Sequence, residues 1–439
     1  MFRQYRETLP SAPARSKPMK AFPVWRCHPA RSSPSSAIIE ARSPAGNDKI
    51  PRPSGTSGGK SAFYLAARSS TRAIKGTLMA KSSSKRSDEV NAPLAHGATV
   101  LPLVTIDDYN NELRDKNGFV GDNANKKTFQ QKLDDWRKHV RKFGDDPIGK
   151  IETAKLSKKK IEALLKGDDM EAAALIMGAV EDFAQDFATV IGKFLKDERW
   201  SKTERIVVGG GFRQSRFGEL TIARTMVILK AAGTNIEVVP IAHHPDEAGL
   251  IGSVHLMPPW MFKGYEAMLA VDIGGTNVRA GVVEFGKEKG PHFADASVWE
   301  SVIWRHANDE PSRSATVERL AAMLQELIDK AERANLKPAP IIGIGCPGII
   351  KADGSIERGG QNLPGGNWES DSFNLPAALM KAVPEIGDHS TFVMMHNDAV
   401  VQGLSQIPFM HDVSRWAVLT IGTGLGNAHF TNREGMKVG

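Results

Sequence analysis

The stretch Val271-Asp-Ile-Gly-Gly-Thr-Asn-Val-Arg279 decides the fold, because it places a glycine-rich turn between two apolar segments that predict strands, Met268–Ile273 and Val278–Glu284. Glycines in such a turn let backbone N–H groups approach an anion closely, and Thr and Asn side chains add polar contacts. We interpret the turn as a phosphate-binding hairpin made of Gly274, Gly275, Thr276 and Asn277. An ordinary glycine-rich hairpin is the alternative. The stretch lacks the Gly-x-x-x-x-Gly-Lys-Ser/Thr pattern of a P-loop.

Asp272 stands at the end of the first of these strands. A carboxylate is a preferred ligand of Mg²⁺, which tends to keep part of its hydration shell. We therefore predict that Asp272 positions a Mg²⁺ ion through water.

Two further glycine clusters follow apolar strands. Gly422-Thr-Gly-Leu-Gly426 predicts a second hairpin of the same type, with Gly422, Thr423, Gly424 and Gly426 at the phosphates. Gly209, Gly210 and Gly211 end the strand Arg205–Val208 and offer flat backbone to an adenine or ribose. Each cluster alone is a weak signal, whereas two phosphate hairpins in one chain are more specific.

Asp398 follows the predicted strand Thr391–Met395 and begins a helix. A carboxylate at a strand end can accept the proton of a hydroxyl that attacks phosphorus. Capping of the helix is an equally good interpretation, since Asp is a common N-cap residue. Asn362, Asn397 and Asp398 are candidate contacts to a polyol, although Asn is also a frequent turn residue.

The composition indicates a soluble protein with a sizeable core: 439 residues, 41% hydrophobic, with a mean hydropathy of -0.29. No apolar run reaches the roughly 18 residues that a membrane span needs. Cysteine stands only at 27 and 346, so we expect no disulfide framework and no cysteine zinc site. A reducing cytoplasm is the expected location.

Residues 1–78 are rich in Arg, Ser, Pro and Gly and lack the apolar surface that would offset the entropy of ordering. Three interpretations stay open: upstream sequence translated from a misplaced start, with Met79 beginning the protein, a disordered tail, or a transit peptide. The segment has 14 Lys and Arg against 3 Asp and Glu, which leaves a net charge of −4 for the remainder of a chain whose total is +7. That balance gives no reason to expect nucleic-acid binding.

Together the motifs resemble the ROK family of bacterial sugar kinases and sugar-responsive repressors, over roughly Asp168–Thr431. The matching segments are Leu269–Val283 (first phosphate motif), Gly343–Gly348 and Asn362–Gly365 (sugar-side loops), His396–Ala399 (catalytic aspartate), Leu419–Gly426 (second phosphate motif), Ile206–Gly211 (adenosine motif) and Asp246–Gly252 (final helix). The resemblance implies an α/β, two-lobed actin/hexokinase-like (ribonuclease H-like) fold. It also implies transfer of the ATP γ-phosphoryl group to a hexose hydroxyl, with glucose as the default acceptor, Asp398 as the base, and ATP and Mg²⁺ as cofactors.

The order of the motifs differs from that of the family, since the adenosine motif and the final helix come first. The resemblance therefore implies a circular permutation, with two joined incomplete fragments as the alternative. We expect 1–78 to be a disordered or mis-annotated extension, 79–245 with 396–439 to form a large nucleotide/sugar lobe, and 246–395 to form a small lobe carrying the first phosphate hairpin.

The family's cysteine-rich zinc loop and its Glu-x-Gly-His sugar contact have no clear counterpart. Under permutation they would fall near residues 88–150, which contain no cysteine and offer only His96-Gly97. Structural zinc is therefore not expected. A hexose and ATP are the expected partners, with a homodimer left open and neither nucleic acid nor a membrane expected. Two alternatives are a non-catalytic ROK-type sugar-sensing regulator, although 79–150 shows no convincing helix-turn-helix, and a degenerate kinase.

Overall fold

Strands and helices alternate along the chain in the computed structural model, which describes residues 94–116, 118–286, 291–361 and 363–434. These residues belong to one compact unit, Ser82–Gly439. The predicted extension over residues 1–78 lies outside the described residues, and so does Asn362.

The strands form two five-stranded sheets and three short two-stranded sheets. In chain order they are β1 (Val104–Tyr109), β2 (Arg114–Asp115), β3 (Gly118–Phe119), β4 (Arg205–Gly209), β5 (Glu237–Pro240), β6 (Ala267–Ile273), β7 (Val278–Glu284), β8 (Ser297–Trp304), β9 (Pro338–Cys346), β10 (Ile349–Ile350), β11 (Ile356–Arg358), β12 (Glu385–Ile386), β13 (His389–Ser390), β14 (Phe392–Asn397), β15 (Arg415–Ile421) and β16 (Leu425–Asn432).

The α-helices begin at polar capping residues, as helix ends with free N–H groups require. They are α1 (Lys126–Val140), α2 (Lys158–Lys166), α3 (Met170–Phe194), α4 (Arg216–Ala231), α5 (Pro245–Gly252), α6 (Arg313–Arg333), α7 (Leu375–Ala382) and α8 (Asp398–Leu404). For example, the Asp169 side chain accepts from Ala172 N–H at 3.0 Å at the start of α3. Within the described ranges, no helix is both long enough and apolar enough to cross a bilayer.

One sheet, here called the central sheet, has the order β8-β7-β6-β9-β14. The pairs β8/β7 and β7/β6 are antiparallel, whereas β6/β9 and β9/β14 are parallel. Every residue of β6 is buried, as expected of a strand with partners on both sides and helices over the sheet. This sheet positions the carboxyl ends of β6, β9 and β14 along one edge.

The other sheet, here called the terminal sheet, has the order β1-β16-β15-β4-β5. Its pairs are again antiparallel, antiparallel, parallel and parallel. If the strands are read from β15 to β16 and then from β1 onwards, the terminal sheet has the same strand order and the same strand directions as the central sheet. The ladder between β1 and β16 sets Val104 opposite Asn432, so distant parts of the chain complete a single sheet.

Two helices connect the sheets and pack against each other. The chain passes from β14 through α8 to β15, and from β5 through α5 to β6. A Cβ atom at Gly252 would lie only 1.7 Å from the carbonyl oxygen of Val401, so glycine is what lets the helices approach this closely. The two sheets consequently meet at a tight helical joint.

This arrangement confirms the predicted α/β class, with two five-stranded sheets of matching topology. The first strand, β1, begins only at Val104. Pro102 lies within a turn in which the Leu101 N–H donates to the Val104 carbonyl at 2.9 Å. Proline has no N–H to give to a ladder, so the strand starts after it.

Candidate active site

The carboxyl ends of three parallel strands bring two acidic residues together. Asp272 on β6 lies in register with Gly345 on β9, and Gly345 lies in register with His396 on β14. A Cβ atom at Gly345 would stand 3.5 Å from Asp398 Cα and 3.6 Å from Asp272 Oδ1. Asp272 and Asp398 therefore flank a position without a side chain, at the edge of the sheet where α/β proteins bind ligands.

Asp398 is the first residue of α8, but it is not the residue that caps the helix. The Asn397 Oδ1 accepts from Ala399 N–H at 3.0 Å and from Val400 N–H at 3.2 Å. Burial raises the pKa of Asp398 to about 7, and the negative charge of Asp272 adds to this rise. A carboxylate with a pKa near neutrality is suited to take up and release a proton at the pH of a cell.

Asp272 is buried, and only one of its two carboxylate oxygens has a hydrogen-bond partner among the described residues. Its Oδ2 accepts from Arg279 Nη1 at 3.2 Å, whereas Oδ1 has no hydrogen-bond partner among the described residues. Burial raises the pKa of Asp272, and Arg279 opposes that rise. One free carboxylate oxygen fits a Mg²⁺ ion that keeps most of its water and takes its other ligands from phosphate. In the part of the chain that is described, no three His, Cys, Asp or Glu side chains cluster as a metal site would require.

The two glycine hairpins face each other across the sheets. Thr276 Oγ1 of the first lies 3.3 Å from Thr423 Oγ1 of the second. Each turn is closed by its own backbone bond: Gly274 N–H donates to Asn277 O at 2.9 Å, and Gly422 N–H donates to Gly424 O at 2.9 Å. The first hairpin joins β6 to β7, and the second joins β15 to β16. These two hairpins occupy equivalent places in the topology that the two sheets share.

The triple glycine lies against the base of the second hairpin. Gly210 has a φ of +81°, and a Cβ atom there would stand 2.5 Å from the Ile421 carbonyl oxygen. Gly426, on the far side of the same hairpin, would place a Cβ atom 3.1 Å from Ala399 Cβ at the start of α8. The second hairpin therefore contacts both the triple glycine and the helix that carries Asp398.

A polar chain of contacts joins the triple-glycine side to the acidic pair. Gln214 Nε2 donates to Asp246 Oδ2 at 3.2 Å, and Asp246 Oδ1 accepts from Arg279 Nε at 3.0 Å. Arg279 in turn donates to Asp272. Since Asp246 lies in the first turn of α5 and Arg279 lies on β7, this ion-pair network spans the joint between the sheets.

The structure describes only one of the two asparagines that were predicted to contact a substrate. Asn397 is buried, and its side chain caps α8 and donates from Nδ2 to Gly348 O at 3.0 Å. Its direct contact to a sugar stays a prediction, as does that of Asn362, which lies outside the described residues. Cys346 is buried at the end of β9, and burial raises the pKa of its thiol, as expected of a packed residue.

Sequence reasoning missed four residues that contact these loops. They are Lys126, whose N–H donates to Gly422 O at 3.0 Å, Lys158, whose ammonium donates to Gly211 O, Arg279, and His306, whose Nε2 lies 2.9 Å from Gly274 O. The two lysines begin α1 and α2, where the helix dipole favours acidic residues. Lysine at a helix start was therefore a readable signal, whereas nothing in the local sequence of His306 points to the hairpin.

No protein-family model and no curated protein sequence matches the chain. Among solved structures, it is similar to a ROK hexokinase from Thermus thermophilus, with 21% identity and a TM-score of 0.26 over 37% of this chain and 45% of that chain. It is also similar to a ROK family glucokinase from Streptomyces griseus in complex with glucose and AMPPNP, with 17% identity and a TM-score of 0.27 over 38% of this chain and 46% of that chain. The chain thus spans less than half the length of these structures.

Proposed function

We propose that this protein transfers the γ-phosphoryl group of ATP to a hydroxyl group of a sugar. The observation that carries the proposal is the meeting of the two glycine hairpins at Thr276 and Thr423, with the second hairpin in contact with the helix that begins at Asp398. Phosphoryl transfer depends chiefly on positioning and on stabilising negative charge, which backbone N–H groups of glycine-rich hairpins can supply.

Each group of residues has a role in this reaction. Gly274, Gly275, Thr276 and Asn277, together with Gly422, Thr423, Gly424 and Gly426, hold the phosphates, and Gly209, Gly210 and Gly211 face the nucleoside. Asp398 accepts the proton of the attacking hydroxyl, because its pKa of about 7 leaves much of it ionised at neutral pH and still basic enough to bind that proton. Bound Mg²⁺ would neutralise charge on the phosphates, and Asp272 is the residue that would position it.

A hexose of the glucose type is the proposed acceptor, with Asn362 and Asn397 beside Asp398. The ranges 79–245 with 396–439 and 246–395 are proposed as two lobes that close on substrates and exclude water, which limits ATP hydrolysis. The terminal sheet draws its strands from both 104–240 and 415–432, and its order matches that of the central sheet. This match supports a circular permutation rather than two joined fragments.

The test is an assay of ADP release by the purified full chain, with ATP, Mg²⁺ and a panel of hexoses. Asp398→Asn should lower the rate about 10²- to 10⁴-fold, the usual contribution of a general base, while ATP binding survives. Asp371→Asn, which changes an exposed carboxylate, is the matched control and should retain full activity. Undiminished sugar phosphorylation by Asp398→Asn would remove Asp398 from the mechanism, and no hexose-dependent ADP release by the wild type would overturn the proposed function.

A further inference from the structure

Lys158 occupies an unusual place beside the triple glycine. It is the first residue of α2, and its half-buried ammonium group donates to the carbonyl oxygen of Gly211. A Cβ atom at Gly211 would lie 3.2 Å from Lys158 Nζ, so the ammonium lies directly against side-chain-free backbone. The long side chain therefore places a positive charge on the loop that the proposed function assigns to the nucleotide.

The charge of Lys158 is not neutralised by a close acidic partner. Across the described ranges, no carboxylate lies within 4 Å of its ammonium group, and the nearby Asp246 is already bonded to Arg279 and Gln214. Burial lowers the pKa of Lys158, and repulsion from Lys126 adds to the effect. A partly desolvated cation beside other cations is costly unless an anion comes to it.

The neighbouring helix ends add to this positive field. α1 and α2 both begin with lysine and have no acidic residue in their first turns. Free N–H groups already make a helix start positive, so lysine at that position is electrostatically unfavourable in the absence of an anion. Lys126 also bonds through its backbone N–H to Gly422 in the second hairpin.

We propose that Lys158 binds the phosphate chain of the nucleotide donor, exchanging the Gly211 carbonyl for a phosphate oxygen. The role rests on the nucleotide site of the proposed function and adds to it a cation supplied by the helical segment between β3 and β4. Lys158 would then contribute to affinity for a nucleoside triphosphate and little to affinity for the nucleoside alone. If Lys158 only supported the loop, its replacement would weaken the binding of the nucleoside triphosphate and of the nucleoside alike.

Calorimetric titration of ATP and of adenosine into the full chain separates these roles. Lys158→Gln is the main variant, because its amide can still donate to the Gly211 carbonyl but carries no charge. Loss of one charged hydrogen bond should weaken ATP binding about 10- to 100-fold, while adenosine affinity changes less than about 3-fold. Lys158→Arg should restore most of the ATP affinity, and the exposed neighbour Lys159→Gln should bind both ligands like the wild type.

Lys158→Met, which removes both the charge and the donor, provides a second neutral variant in case the first does not fold. Equal weakening of ATP and adenosine, or unchanged ATP affinity in a neutral variant, would overturn the role of Lys158 while leaving the kinase proposal standing. A wild-type protein that binds neither ligand would instead overturn the nucleotide site itself.

Discussion

Replacing Asp398 by Asn should stabilise the folded protein above neutral pH, even though it removes the proposed base. Burial and the charge of Asp272 raise the pKa of Asp398 from 3.8 to about 7. The folded state therefore holds this proton more tightly than the unfolded chain does. Asn cannot ionise, and its Oδ1 can still accept from the Ala399 N–H, a bond of 2.9 Å in the wild type.

The sign and size follow from proton linkage. Because the folded pKa is raised, ionisation of Asp398 removes stability as the pH rises from about 4 to about 7, and the loss then levels off. At 1.36 kcal/mol per pH unit, the wild type should lose about 2.5 kcal/mol from this group between pH 5 and pH 8. Water at the partly exposed carboxylate and proton sharing with Asp272 reduce the expected value to about 1 to 3 kcal/mol.

Urea unfolding of wild type and Asp398→Asn, followed by circular dichroism at pH 5, 6, 7 and 8, measures this difference. The stability advantage of the variant should grow from pH 5 to pH 8. Asp371→Asn, which changes an exposed carboxylate, is measured in parallel as the control. A stability advantage of Asp398→Asn that is constant with pH, or that shrinks towards pH 8, would refute the conclusion that folding raises the pKa of Asp398.

The remaining predictions concern the acidic pair and the helical joint. In the metal-free protein, Asp272→Asn should reduce the stability that is lost between pH 5 and pH 8 in urea unfolding, because it removes the charge that helps raise the pKa of Asp398; an equal or larger loss would contradict the coupling. Gly252→Ala should destabilise the fold by about 1 to 3 kcal/mol or more in thermal unfolding, since its Cβ atom would overlap the Val401 carbonyl. Gly192→Ala within α3 is the matched control, because nothing lies within 4 Å of its Cβ position and alanine favours a helix, so equal destabilisation of both variants would argue against the tight joint.

Local features of the molecule were predictable where short-range chemistry controls them. The strands flanking the first hairpin were predicted almost to the residue, because an apolar run on each side of Gly274-Gly275 allows little else. The helix that begins at Asp398 was predicted as well. By contrast, β8 (Ser297–Trp304) was not predicted, and it is an edge strand whose residues are only partly buried and so show a weak apolar pattern.

The candidate site was predictable only in part, for the same reason. Asp398 and the glycine hairpins follow strands, so their positions at sheet edges could be inferred from the sequence. The contact of Asn397 with a sugar stays a prediction, and the structure shows that its side chain caps α8, a role expected of Asp398. Lys158 and His306 contact the glycine-rich loops from elements that are distant in the sequence. Local sequence patterns do not indicate which distant residues come into contact in the folded protein.

The sequence alone determined the local pieces: where glycine must stand in a turn, which strand ends carry a carboxylate, and an order of motifs that begins in an unusual place. Tertiary structure decided what those pieces form together. Pairing of β1 with β16 makes one sheet from two ends of the described chain, and packing of α5 on α8 brings the two sheets to one joint. The contact of Thr276 with Thr423 and the raised pKa of Asp398 depend on burial and on charges from distant segments, so they arise only when the whole fold is assembled.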